Sequence, residues 1–135
     1  MKRNAQVLET RLVVENLFDA EVEPLIAVCG DFNLADQEVP VATLQADTKD
    51  TGNTDIADRV LITLDNAIPD HTRHAIIHGG RRVMIDHILA SRALSNRLER
   101  IEAHNELLED ELVAYLMDIH PAGSFHAPLV AEFNL

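Results

Sequence analysis

Over residues 2–19 the apolar positions Val7, Leu8, Leu12, Val14, Leu17 and Phe18 recur near helical spacing with no internal Gly or Pro, which predicts a helix. Pro24 ends that pattern. Leu25-Ile26-Ala27-Val28-Cys29, rich in β-branched residues and bounded by Pro24 and Gly30, predicts a short buried strand. A short helix is expected over 36–46, with Pro40 counting against it, and the Asp-, Thr-, Gly- and Asn-rich stretch 47–58 reads as a loop. Strands are expected at 60–64 and 74–78. Gly79-Gly80 then offers a two-residue turn into a strand over 82–90, a hairpin signal. A strand at 98–103, a short helix within 106–117, a loop at Pro121-Ala122-Gly123 and a closing strand at 128–133 complete the pattern. With no repeat, low-complexity tract or linker, residues 1–135 read as one α+β domain dominated by strands.

Composition narrows this picture. Apolar residues make up 47% of the 135, but aromatics only 4% with no Trp, so the core must be built from Leu, Ile, Val and Ala. No apolar run approaches the roughly 20 residues of a spanning helix. Met1-Lys2-Arg3-Asn4 is followed by no long apolar stretch, so no secretory signal is read; the compartment is unknown, cytoplasmic by default. Cys29 is the single cysteine, which excludes an internal disulfide, and its apolar run predicts a buried, inert thiol. Eleven basic against 23 acidic side chains give a net charge of −12, which argues against nonspecific DNA binding. A phosphate-bearing partner would need a local basic patch or a bound cation.

The sequence has no Walker loop, dinucleotide fingerprint, paired-Cys zinc spacing or metalloprotease helix. Three polar clusters remain. In Gly30-Asp31-Phe32-Asn33, Asp31 and Asn33 fall at a strand end and share a side if the chain stays extended. A carboxylate there can orient and deprotonate water, and an amide can hold a phosphoryl oxygen. The alternative is a simple turn. In Ile85-Asp86-His87-Ile88, alternation puts Val83, Ile85, His87 and Leu89 on one face and Met84, Asp86, Ile88 and Ala90 on the other. Both faces are mainly apolar, so Asp86 needs a fixed partner, a histidine being the natural one; the alternative is an Asp that ties down a loop amide. In Gly123-Ser124-Phe125-His126-Ala127-Pro128, His126 sits at the mouth of the last strand; the alternative is an ordinary exposed loop histidine. His71, His74 and His78 have suggestive spacing, but no carboxylate or Cys set completes a metal site with them.

Taken in order, the clusters resemble the endonuclease/exonuclease/phosphatase superfamily, the deoxyribonuclease-I-like fold. Residues 26–33 look like its apolar strand ending in Gly-Asp-Phe-Asn. Residues 85–91 look like its Ile-Asp-His/Tyr-Ile-Leu-x-Ser strand, and 124–131 like its final Ser-Asp-His-x-Pro-Val element. The segment from Arg73-His74 to Arg82 looks like the hairpin preceding the Asp strand in bacterial secreted or surface nuclease-like members. The resemblance implies the carboxy-terminal half of a β-sandwich flanked by helices: one mixed, mainly antiparallel sheet with helices on one face. It also implies metal-assisted phosphoester hydrolysis. Asp31 would activate or orient water, and Asn33 would hold the phosphoryl group or assist the metal. His126 would contact the scissile phosphate, and Asp86 would lock His126 in position and favour its protonated form. Mg²⁺ or Mn²⁺, held by Asp31 and Asn33, would act as Lewis acid on a phosphoester substrate, nucleic acid among the candidates.

The chain departs from the family in two ways. Members are about twice as long, and their first half carries an Asn and the principal metal-binding Glu. Phe125 stands where the family has Asp. The resemblance therefore implies an isolated chain of weak or no activity, with a sheet face to be covered either by the amino-terminal half or by a second copy. Covering several hundred Å² of apolar surface at about 25 cal/mol per Å² is worth on the order of 10 kcal/mol. The alternative is a noncatalytic, degenerate module of the same fold that acts in assembly or interaction.

Overall fold

The computed structural model describes residues 2–121 and 123–135; Ala122, in the expected loop 121–123, lies outside them. In chain order the elements are α1 (Lys2–Ala20), β1 (Ala27–Asp31), α2 (Val39–Gln45), α3 (Thr48–Thr51), β2 (Leu61–Thr63), β3 (Ile76–His78), β4 (Arg81–Val83), β5 (Asp86–Ser91), α4 (Arg92–Ser95), β6 (Leu98–Ala103), α5 (Glu111–Leu116) and β7 (Leu129–Phe133). Short 3₁₀ turns at Thr54–Arg59 and Leu64–Ala67 flank β2. The class is α+β, and every ladder is antiparallel.

Among the described residues the expected single sheet is instead three sheets: β1-β5-β2, the hairpin β3-β4 and the ribbon β6-β7. The expected strand 82–90 divides because its halves serve different ladders. Ala75 N–H donates to the Val83 carbonyl at 2.9 Å, and two residues on Phe32 N–H donates to the Ile85 carbonyl at 2.9 Å. The chain changes partner between these bonds. Gly79 (φ 57°) and Gly80 (φ 76°) both turn left-handed at the hairpin tip, which a two-residue hairpin loop demands.

The central sheet is covered differently on its two faces. His87, Leu89 and Ser91 of β5 face α1 and α2, where Val14, Val41, Leu44 and Leu61 close a core with Leu89. On the other face Ile88 and Ala90 meet Leu64, Leu94 and the β6-β7 ribbon through Ile101, Ala131 and Phe133.

Expectation and structure differ at four further places. Along α1 the buried line is Val7, Arg11 and Val14, continued by the partly buried Phe18, while Leu8, Leu12 and Leu17 remain 53%, 57% and 45% exposed. Arg11 fits among apolar residues because its guanidinium donates to the Leu44 carbonyl (3.0 Å), an acceptor in the last turn of α2, and to the Arg59 carbonyl (2.8 Å). The strand expected at 25–29 runs Ala27–Asp31 and is not buried; among the described residues it pairs with β5 alone, and Ala27 and Cys29 are exposed. The thiol of Cys29 is thus accessible, against expectation. Pro40 falls in the first turn of α2, where its missing N–H breaks no helical bond. The expected loop 47–58 contains α3 and a 3₁₀ turn, since Asp47 and Asn53 accept N–H bonds from Lys49 and Asp55 as N-caps.

Candidate functional site

The last pair of the β1–β5 ladder is Asp31 opposite Asp86. Cross-strand partners point to the same face, so the register sets two carboxylates side by side at the sheet rim, an arrangement that is unfavourable unless a cation or proton is shared. His126 reaches them from the segment before β7. That segment is fixed by Ala127, buried and donating its N–H to the Ala75 carbonyl at 2.8 Å, and by the Ser124 hydroxyl, which accepts from His126 N–H at 3.0 Å.

His126 Nδ1 lies 2.8 Å from Asp86 Oδ2. A carboxylate only accepts, so Nδ1–H donates and the second ring nitrogen, Nε2, stays available for other chemistry. This is the fixed histidine partner that the apolar setting of Asp86 demanded. Asp31, Asp86 and His126 each offer one ligand atom, all within 4.8 Å of one another. Asp86 and His126 border an open groove of ≈ 420 Å³ that also takes in Cys29, Gly30 and Pro128, and Asp31 follows Gly30 at the end of β1.

Asn33 meets the site by a different route from the expected one. Its φ of 52° bends the chain just past β1, so the extended geometry does not persist. Asp31 Oδ1 accepts Asn33 N–H at 2.8 Å, and Oδ2 accepts from Asn33 Nδ2 at 3.1 Å. Turn and site therefore coexist: the turn sets the orientation of the Asp31 carboxylate. The expected ligand pair Asp31 and Asn33 is in contact, and Asp86 and His126 extend it.

The three histidines of the hairpin region form no such group among the described residues. His74 is buried, with Nδ1 3.2 Å from Asn105 Nδ2, His78 pairs with Glu111, and His71 is exposed.

A buried cluster behind the site escaped the sequence reading. Asp65 is fully buried; its Oδ2 lies 3.0 Å from His87 Nδ1 and 3.0 Å from Arg73 Nη2. Burial alone would push the His87 imidazole down, but the Asp65 carboxylate, the Leu34 carbonyl and the charge of Asp36 together hold it above the ordinary histidine range. One signal was available: alternation set His87 on an apolar face, where an imidazole needs partners. Nothing local marked Asp65 as that partner, because it lies 22 residues away in the chain. No family model, curated protein or solved structure matches the chain.

Proposed function

We propose that this chain forms the carboxy-terminal half of a deoxyribonuclease-I-like phosphodiesterase fold and that its rim cluster serves divalent-metal-dependent phosphoester hydrolysis. The observation that carries the reading is the 2.8 Å contact of His126 with Asp86, with Asp31 across the ladder. Three motifs far apart in sequence thus meet in one pocket.

The two carboxylates suit a hard divalent ion, on a rim whose like charges a cation would relieve. Asp31, Asp86 and the adjoining Asn33 amide oxygen would hold Mg²⁺ or Mn²⁺, which when bound supplies Lewis-acid stabilisation to the phosphoryl oxygens. The protein's own groups do the rest. Asp31, its orientation set by the turn at Asn33, orients the attacking water and takes its proton. His126, held through Nδ1 by Asp86, presents Nε2 to the phosphate, where a proton on that nitrogen neutralises developing charge. The substrate class is a phosphoester, nucleic acid among the candidates, brought to an acidic protein by the cation rather than by the protein's own field.

A second reading, a noncatalytic module of the same fold, has one residue in its favour: Phe125 puts an aromatic ring where the family pattern has a carboxylate. Hydrolysis of bis(p-nitrophenyl) phosphate and of plasmid DNA, with and without Mn²⁺ or Mg²⁺, separates the two. The hydrolytic reading expects slow, divalent-dependent turnover that His126→Ala and Asp31→Ala each lower by about 10²-fold or more. Absence of divalent-dependent turnover, together with absence of Mn²⁺ broadening at the His126 ring resonances, would leave the noncatalytic reading standing.

A further inference from the structure

Asp65 is bonded directly to β5, which carries Asp86, and reaches the loop that follows Asp31 through His87 and Arg73. Its Oδ1 accepts the Ile88 N–H at 3.3 Å, two residues along β5 from Asp86. Its Oδ2 meets His87 Nδ1 at 3.0 Å, and the other nitrogen of that ring, Nε2, donates to the Leu34 carbonyl at 2.8 Å, in the turn that begins at Asp31. Through Arg73 it reaches the same loop again: Nη2 sits 3.0 Å from Asp65 Oδ2 and 3.3 Å from Asp36 Oδ2, while Nε donates to the Asp65 carbonyl at 2.9 Å. Asp65 and His87 have no exposed side-chain surface, and Arg73 and Asp36 are mostly covered. Among the described residues no buried side-chain nitrogen or oxygen lacks a partner, so the network is satisfied throughout. A buried polar network of this kind costs desolvation that an apolar core would avoid, and what it gives in return is a single fixed geometry.

We propose that Asp65 is a positioning residue for the rim cluster: through His87 and Arg73 it fixes the Asp31–Asp36 loop against the strand that carries Asp86. Its consequence for catalysis rests on the hydrolytic reading; the positioning itself does not. Removing the Asp65 charge leaves Arg73 held only by the Asp65 carbonyl, Asn66 and Asp36, and weakens the grip of His87 on the Leu34 carbonyl, so the Asp31–Asn33 turn loses its fixed distance to Asp86 and His126. Groups that orient ligands in this indirect way typically change metal affinity by about 10- to 100-fold when replaced.

The test uses Asp65→Asn in the full chain, with Glu15→Gln as control. Glu15 bridges Arg11 and Arg59 in a comparable partly buried ion-pair network on α1, away from the rim. Backbone amide exchange and chemical shifts at Asn33 and Leu34, the ring resonances of His126 and the Mn²⁺ affinity are measured for each. Asp65→Asn is expected to speed exchange at Asn33 and Leu34 by about 10-fold, to move the His126 signals, and to weaken Mn²⁺ binding by at least about 10-fold. Glu15→Gln is expected to lower the melting temperature without any of the three. A folded Asp65→Asn protein whose Asn33, Leu34 and His126 signals match the wild type overturns the proposal. So does a Glu15→Gln protein that moves them equally, since the effect would then follow stability alone. If Asp65→Asn fails to fold, Asp36→Asn, which breaks only the outer arm, is read by the same criteria at Asn33 and Leu34. A wild type that binds no Mn²⁺ and hydrolyses nothing defeats the hydrolytic reading, while the amide and ring signals still decide the positioning.

Discussion

Arg11 stands in a row that helical periodicity would fill with an apolar residue, and its hydrogen bonds explain why an arginine is stable there. Replacing it with leucine keeps the apolar stem but leaves the Leu44 and Arg59 carbonyls without their donor and takes one of two arginines from Glu15. Arg11→Leu is expected to lose about 1–3 kcal/mol, read as a drop in the urea midpoint at unchanged slope. His74 makes a prediction of opposite origin. Burial first, and then the nearby charge of Arg82, hold its imidazole below the ordinary value of 6.5. A histidine depressed in the folded state contributes stability that is present above 6.5 and is lost as the pH falls through its folded value, because the unfolded chain takes up the proton first. His74 therefore lowers the melting temperature on acidification below 6.5 while His87, held high, acts in the opposite sense, and His74→Gln should make the variant lose less stability than the wild type over that range; an unchanged slope would refute it. At this scale the sequence disclosed Asp86 more readily than His87. A carboxylate on a mainly apolar strand announces a missing partner, and the final motif offered His126. An imidazole among β-branched neighbours reads equally well as core, and its partner Asp65 belongs to a 3₁₀ turn that no periodicity marks. Cys29 shows the same limit from the other side. An apolar run says that a strand forms, not whether a second layer covers it.

Secondary-structure elements were legible where local chemistry dictates them. Gly79-Gly80 announced the β3-β4 hairpin because few other residues tolerate two consecutive left-handed positions, and β6, α5 and β7 lie close to where the apolar pattern put them. The break at Met84-Ile85 was not legible, since β4 and β5 continue one another's alternation and only the change of hydrogen-bond partner separates them. The hairpin is also tied to α5 by one side chain. The Asp110 carboxylate caps α5 by accepting from Leu112 and Val113 N–H, and it accepts from Gly79 N–H at 2.9 Å and Gly80 N–H at the hairpin tip. The Gly80 N–H is the largest influence on this carboxyl; loss of solvent opposes it, and the Gly79, Val113 and Leu112 N–H groups add to the lowering, so the group sits below the usual aspartate range. A depressed folded value means that the clamp contributes above the unfolded aspartate pKa and is lost as the pH falls through the folded one. Asp110→Ala should consequently speed amide exchange at Gly79, Gly80, Leu112 and Val113 at neutral pH and leave the β1–β5 ladder unchanged. Spread of the effect into Cys29 or Ile88 would show that hairpin and central sheet open together.

The two faces of the whole molecule are not equally finished. The sheet packs on α1 and α2 on one side and on the β6-β7 ribbon on the other, but among the described residues β1 has a neighbour on one edge only, and an outer row on α1 leaves Leu8 and Leu12 about half exposed. Burying the remainder of each leucine is worth on the order of 1 kcal/mol, so a two-fold interface using Leu8 and Leu12 of both copies gains roughly 4 kcal/mol before the cost of association, itself at least about 4 kcal/mol. That balance gives weak self-association unless strand edges also pair. The net charge of −12 acts against it at long range, over a distance that salt shortens. Sedimentation at rising protein concentration should therefore show a growing dimer fraction, larger in high salt than in low, and Leu12→Lys should return the chain to monomer by adding a desolvation cost beside Leu8. A sharp monomer at micromolar concentration in both salts would show that the α1 row is stable in water on its own. Divalent ions enter the same balance from the rim. So few donor groups beside an open groove would hold a cation only loosely, so Mg²⁺ or Mn²⁺ should raise the melting temperature only slightly. Should the increase instead be large and vanish in Asp31→Ala, the rim cluster of this chain would be a complete metal site that needs no further ligands from a covering partner.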